Sequence, residues 1–332
     1  MTGDTGAQRS WPAMPAAVAG SVLVGFMPIM TLRLYAAGIS APSMLVWRYG
    51  IALVPLAIAA TIAGQSLTAA WGNGAWRITL VGATLGAGQT LCFWESLHWI
   101  DTSVAILLFY TYPALTLVLE RFFFRRPIRP LAVLCVAAIV TGAGLVLLPG
   151  AARGSLDPRG LLWLLPSPVL YAFYLAANAA LMRRHPPLSA ATSLYLGFAL
   201  AFLAAGCVRG IDVPATAGTW LLILIIALGP GALTITLFSY AVPRLGPASY
   251  AIVANSELLT VVAIGALVLG EPMGAGRLIG GALIVIGILT HALARQGTKA
   301  ASSLAGAERP RPSDADSRGA VVEPAGAIPG KL

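Results

Sequence analysis

Between Pro247 and Leu289 the chain holds two apolar runs, each close to the ~20 residues a helix needs to cross the hydrocarbon core of a bilayer, parted by Gly270-Glu271-Pro272 and Gly274. Lipid offers no partner to an open backbone, so a stretch of this kind spans as a helical hairpin. Midway along its first run stand Asn255, Ser256 and Glu257. A carboxylate at that depth costs about 3 kcal/mol or more unless it meets a partner or water, which makes Glu257 a functional position by default.

The rest of the chain is built from the same material. Of 332 residues, 58% are hydrophobic and only 10% charged, whereas soluble domains carry about 25% charged residues. This composition excludes a soluble domain and predicts an integral membrane protein. The net charge of +9 comes from 21 basic against 12 acidic residues, and the basic ones gather between apolar runs. They read as loop anchors and not as a nucleic-acid surface. Cys92, Cys135 and Cys207 stand singly inside apolar runs without CxxC or Cys/His spacing, so neither a disulfide framework nor a metal site is expected, and no cofactor is implied.

A first run covers Pro12 to Leu32, and its polar, weakly basic lead also fits a signal peptide cleaved near Tyr35-Ala36-Ala37-Gly38. Its length and a later counterpart favour a span. Further runs follow at Pro42 to Gly64, Trp76 to Trp99, Thr102 to Phe124, Leu131 to Leu148, Gly160 to Met182, Leu188 to Val208, Thr219 to Val242, Ala248 to Leu269 and Arg277 to Ala294. An all-α membrane protein of ten transmembrane helices is the expectation. Residues 1–11 form a cytoplasmic N-terminus, 12–149 a first five-helix repeat, 150–295 a second, and 296–332 a disordered cytoplasmic tail rich in Ala, Ser, Gly and Pro. With the N-terminus inside, inner loops and helix ends carry eleven basic residues and outer ones five, which predicts both termini in the cytoplasm.

The repeat rests on an offset. Setting Pro127 on Pro272 gives 272 − 127 = 145, which also pairs Ala137 with Ala282, Ile139 with Ile284, Val140 with Val285 and Gly142 with Gly287. The same offset lays Tyr110-Thr111-Tyr112-Pro113 on Asn255-Ser256-Glu257-Leu258. Two tandem units of five helices must cross the membrane in opposite senses, the inverted-repeat plan of secondary transporters, whose sites lie near the midplane beside broken helices. Pro113 frees a carbonyl in the interior; Pro28, with Pro166 and Pro168, is expected to do likewise at corresponding positions.

Gly270-Glu271-Pro272 followed by Leu278-Ile279-Gly280-Gly281-Ala282-Leu283-Ile284-Val285-Ile286-Gly287 resembles the terminal signature of an EamA repeat. Glu257-Leu258 resembles the mid-helix Glu-Pro of such repeats with the proline lost, and Arg48 matches their frequent second-helix arginine. In the first repeat Arg126 replaces the loop glutamate. From Pro12 to Ala294 the sequence is thus similar to EamA-type transporters of the drug/metabolite transporter superfamily. The resemblance implies an inner-membrane permease, monomeric or homodimeric, that exports amino acids, metabolites or drugs by alternating access.

The candidate substrate and ion cavity comprises Glu257, Asn255, Ser256, Tyr110, Tyr112, Pro113, Glu95, Arg48, Tyr171, Tyr174 and Asn178. Glu257 would bind a substrate amine or a proton; the bland alternative is a carboxylate hydrogen-bonded to a neighbouring helix. Glu95 lies near the outer end of its helix with His98 and Asp101, as a vestibule residue or a solvated one. Arg48 is either a counter-ion for a glutamate or a side chain snorkelling to the outer surface. Tyr171, Tyr174 and Asn178 share one helix face, lining or packing. Trp47, Trp76, Trp94, Trp99, Trp163 and Trp220 read as interfacial anchors, Gly82/Gly86 and Gly276/Gly280 as close helix contacts, and His98, His185 and His291 as solvated helix-end residues. The function expected is secondary transport of a small organic solute across the bilayer, the two repeats rocking about Tyr112/Pro113 and Glu257, with proton antiport through Glu257 as the coupling. An intramembrane enzyme acting on lipid or peptide, or a receptor with the transporter fold, are the rivals; the chain has no GxSG or GxGD motif.

Overall fold

The computed structural model describes residues 12–65, 70–96, 99–100, 102–123, 125, 130–151, 157–267, 274–276 and 278–291. The turn at Gly270-Glu271-Pro272, the arginines at 126 and 129, His98, Asp101, the N-terminus and the tail lie outside these residues. What is described is helical, with no strand. The elements are α1 Ala13–Ala36, α2 Ala41–Ile62, α3 (71–96), α4 Thr102–Phe109, α5 Tyr112–Phe123, α6 Pro130–Ala151, α7 Pro158–Arg184, α8 Pro187–Arg209, α9 Ala217–Leu245, α10 Pro247–Ala254, α11 Ser256–Leu267 and α12 Leu278–His291. Five of them, α1, α2, α7, α8 and α9, are each long and apolar enough to cross a membrane.

The offset of 145 reappears in the backbone. The gap after Phe109 and the gap after Ala254 are related by 254 − 109 = 145. Inside α3, residues Gly82–Gly86 wind as π-helix, and inside α9 so do Ala227–Leu233; their starts differ by 227 − 82 = 145. Packing is reciprocal as well. A Cβ on Gly142 of α6 would meet the Gly280 carbonyl at 2.6 Å and Ile284 at 2.9 Å, while one on Gly287 of α12 would meet the Cys135 carbonyl at 3.0 Å and Ile139 at 2.9 Å. Here 280 − 135 and 284 − 139 are again 145, so the helices approach through a pseudo-two-fold relation and glycine at the crossing is what allows it.

α1 and α7 depart from this register. α1 bends at Phe26 and α7 at Leu165, with Pro28 and Pro166 at the start of each resumed helix, where a missing N–H costs least. The offset carries 26 to 171, six residues past 165, so the prolines do not open the two helices at corresponding positions.

α2 and α8 run antiparallel and are fastened at both ends. After α8, Gly210 turns the chain at φ +88°, a conformation glycine adopts without strain, and Asp212 reaches the start of α2. Its carboxylate accepts from the Ser40 amide (2.9 Å), the Ser40 hydroxyl and the Ser43 hydroxyl (3.0 Å), and Trp47 Nε1 donates to its carbonyl (2.9 Å). At the other end Gln65, following α2, accepts from the Ser189 amide at the start of α8 (3.1 Å). Each helix therefore has its open N-terminal amides capped from the chain that leaves the other. Between the clamps Tyr49 stacks on Phe198 (4.5 Å between ring centres) and Phe202 (5.4 Å).

Candidate functional site

The helix breaks at the two matched positions arise differently. On the first-half side Tyr110 and Thr111 close the last turn of α4, and α5 restarts with Pro113, which has no N–H to continue the ladder. On the second-half side there is no proline. Asn255 Nδ2 donates to the Ala251 carbonyl (2.7 Å), the acceptor its own amide would use in an α-helix, and that amide turns instead to the Ile252 carbonyl (3.3 Å). Tyr112 Oη donates to the same Ala251 carbonyl (3.3 Å), joining the two breaks.

Glu257, the first acidic residue past the second break, is half-buried in the middle of the helical body. It interacts electrostatically with Arg48, Tyr110, Tyr112, Tyr171 and Tyr250. Tyr171 and Arg48 are half-buried too, whereas Tyr110, Tyr112 and Tyr250 are buried. The Nε of Arg48 is buried. It donates to the Pro230 carbonyl (3.1 Å), lies 5.2 Å from the centre of the Tyr49 ring and interacts with Tyr195. Pro230 sits in the π-helical turn of α9, where a widened ladder with a proline leaves carbonyls to accept from side chains. Three buried polar atoms around this space, Arg48 Nε, Asn255 Oδ1 and Ser256 Oγ, have no hydrogen-bond partner among the described residues.

Aromatic rings in contact run from the residues around Glu257 to one end of the molecule. Tyr35 meets Trp94 edge-on (6.1 Å), Trp94 meets Phe93 (5.9 Å), Phe93 meets Phe109 (5.5 Å), and Phe109 touches Tyr112 and Tyr171 (5.3 Å each). Tyr171 stands against Tyr112 at 4.8 Å and stacks on Tyr174 at 5.6 Å.

The expected residues are thus divided. Glu257, Asn255, Ser256, Tyr110, Tyr112, Pro113, Arg48, Tyr171 and Tyr174 come together around the two breaks. Glu95 does not; it pairs with Arg209 beside a cleft at the end where α2 begins and α8 stops. Asn178 is fully buried and donates to the Tyr174 carbonyl of its own helix (2.9 Å). Sequence alone does not single out Tyr49, Tyr195, Tyr250, Pro230 or Arg209. Tyr49 adjoins Arg48 in sequence, and Leu228-Gly229-Pro230-Gly231 signals a disturbed helix, but nothing local reveals what either faces. His291, expected in solvent, is 9% exposed and hydrogen-bonded to Ser249 (3.1 Å), because the end of α12 packs beside the start of α10.

A model of the EamA-like transporter family matches residues 11–148 and 158–292, one match per half. No curated protein matches the sequence. A solved structure titled only as the crystal structure of a protein resembles this chain with a TM-score of 0.74 at 18% identity, over 86% of this chain and 98% of the other. That likeness concerns the fold.

Proposed function

The chain belongs to the EamA-like transporter family of membrane transporters, and from that premise we propose that it is a secondary transporter whose substrate site is the space around Glu257. The observation that carries this reading is the placement of Glu257 and Tyr112 at matched helix breaks, with Arg48 and a set of tyrosines around them. Discontinuous helices at the midplane supply free backbone groups and tolerate polar side chains where a pathway needs them. A carboxylate, a guanidinium and several phenols suit a small organic solute carrying its own charged and hydrogen-bonding groups.

For the cycle we propose alternating access with export as the net direction and proton antiport through Glu257. Substrate and proton would compete for one carboxylate, so loading one releases the other. Both termini in the cytoplasm, ten spans and an inner-membrane location complete the proposal. Among described residues the end carrying Arg77, Arg121, Arg125, Arg183, Arg184 and Arg244 is the more basic and becomes the cytoplasmic one. Because α2 and α8 come from opposite halves yet are clamped together, the rocking bodies would each take helices from both halves.

Counterflow in proteoliposomes tests the reading, against a panel of amino acids, nucleosides and organic cations. Flux that depends on a pH gradient and falls at least about tenfold in Glu257→Gln is expected. Product formation without flux would turn the assignment toward an intramembrane enzyme, and binding without counterflow toward a receptor. Intact, pH-dependent flux in Glu257→Gln would remove the glutamate from the coupling.

A further inference from the structure

Glu95 and Arg209 face a space of their own. A cleft of about 600 Å3 is bordered by Tyr35, Ile39, Ser40, Trp94, Glu95 and Arg209. Adjoining it, a recess of about 240 Å3 between α2, α3 and α8 is walled by Leu45, Leu91, Phe202, Ala205 and the exposed Val208, and it shares Trp94, Glu95 and Arg209 with the cleft. The two make one vestibule, apolar-walled in the recess and bordered by the Glu95–Arg209 pair where the two meet. Glu95 is largely covered, its side chain 17% exposed, while the Arg209 side chain is 50% exposed. Their pairing is made through one terminal nitrogen of Arg209, and a guanidinium carries five N–H donors in a planar fork. Asp212, another acid at this end, is occupied by the Ser40 and Ser43 hydroxyls.

We propose that this vestibule is a second binding site, separate from the Glu257 space, and that it takes amphipathic organic acids. The apolar body enters the recess against Phe202 and Leu45, and the carboxylate docks on the exposed donors of Arg209. The sign follows from the pair. A carboxylate adds to Arg209 without breaking its bond to Glu95, since a planar fork accepts two acids. An ammonium instead meets the exposed positive charge of Arg209 in front of a largely covered Glu95, and like charge disfavours it. An acid without an apolar body loses the burial that the recess provides.

Isothermal titration of the full chain in phosphatidylcholine nanodiscs, with 4-phenylbutyrate, 4-phenylbutylamine and butyrate as probes, tests the site. Phenylbutyrate is expected to bind, with the amine and butyrate weaker by roughly tenfold or more. Arg209→Gln and Ala205→Trp, the second filling the recess while keeping the ion pair, should each weaken phenylbutyrate by a similar factor. Glu257→Gln should leave that binding unchanged, which separates this site from the transport reading. Should Arg209→Gln fail to fold, Ala205→Trp carries the test alone. No binding of phenylbutyrate, equal binding of acid and amine, binding that survives Ala205→Trp, or loss in Glu257→Gln would each overturn the proposal.

Discussion

Gly197 sits where α8 crosses α3, and a Cβ there would run into the Thr79 carbonyl, a backbone atom that cannot turn aside. Gly197→Ala is expected to destabilise by about 1–3 kcal/mol, seen as a lower Tm of the purified protein. Gly50→Ala on α2 has nothing within 4 Å of the new Cβ and should leave Tm unchanged or slightly raised. Asp212 supplies a pH-dependent contribution. Its hydrogen bonds from the Ser40 hydroxyl, the Ser40 amide and the Ser43 hydroxyl hold its carboxyl below the usual carboxylate range. The stabilisation is complete above the unfolded value of about 4 and is lost as pH falls through the lower folded one. The Tm difference between the native chain and Asp212→Asn should therefore be constant from neutral pH down to about 5 and shrink below about 4. At this scale sequence reading finds the lone charge in an apolar run, as with Glu257 and Arg48. It does not find Arg209 as the partner of Glu95, because the two lie on different helices 114 positions apart and only the packing of α3 against α8 brings them together.

Among the elements, the break before Glu257 is the one whose cause can be isolated. Asn255 takes the Ala251 carbonyl with its side chain, so its own amide is displaced by one residue. Asn255→Ala returns that acceptor to the backbone and should join α10 to α11. Hydrogen exchange at the amide of residue 255 is expected to slow, together with loss of flux if the break is needed for transport. Faster exchange there would show that Asn255 follows the break instead of causing it. The polar interruption was legible in the sequence, since Asn-Ser-Glu and Tyr-Thr-Tyr-Pro fall at one offset. The π-helical turns were not. Gly82 and Gly86 read equally well as a close helix contact, and they are one, against Leu194 and Phe198. The same small residues serve both purposes, and no local pattern tells the widened ladder from the tight crossing.

Across the whole molecule the principal interfaces join opposite halves: α2 with α8, α1 with α9 and α11, α7 with α5, and α6 with α12 through their glycines. The large buried cluster draws its residues from both halves. Expressed alone, residues 1–150 or 151–332 should fail to give a stable membrane protein, while the two co-expressed should purify together with a Tm near that of the intact chain. Independent stability of either half would contradict this interlocked arrangement. Tandem organisation was visible from one offset, but reciprocity was not, because it is a property of contacts. That reciprocity carries a record of descent. Three pairs of landmarks, the π turns, the breaks and the crossing glycines, keep a spacing of 145. From Gly82 to Gly142 neither copy has gained or lost a net residue relative to the other. Equal spacing over that stretch, with contacts exchanged between the copies, is what a single unit doubled in tandem within one chain retains.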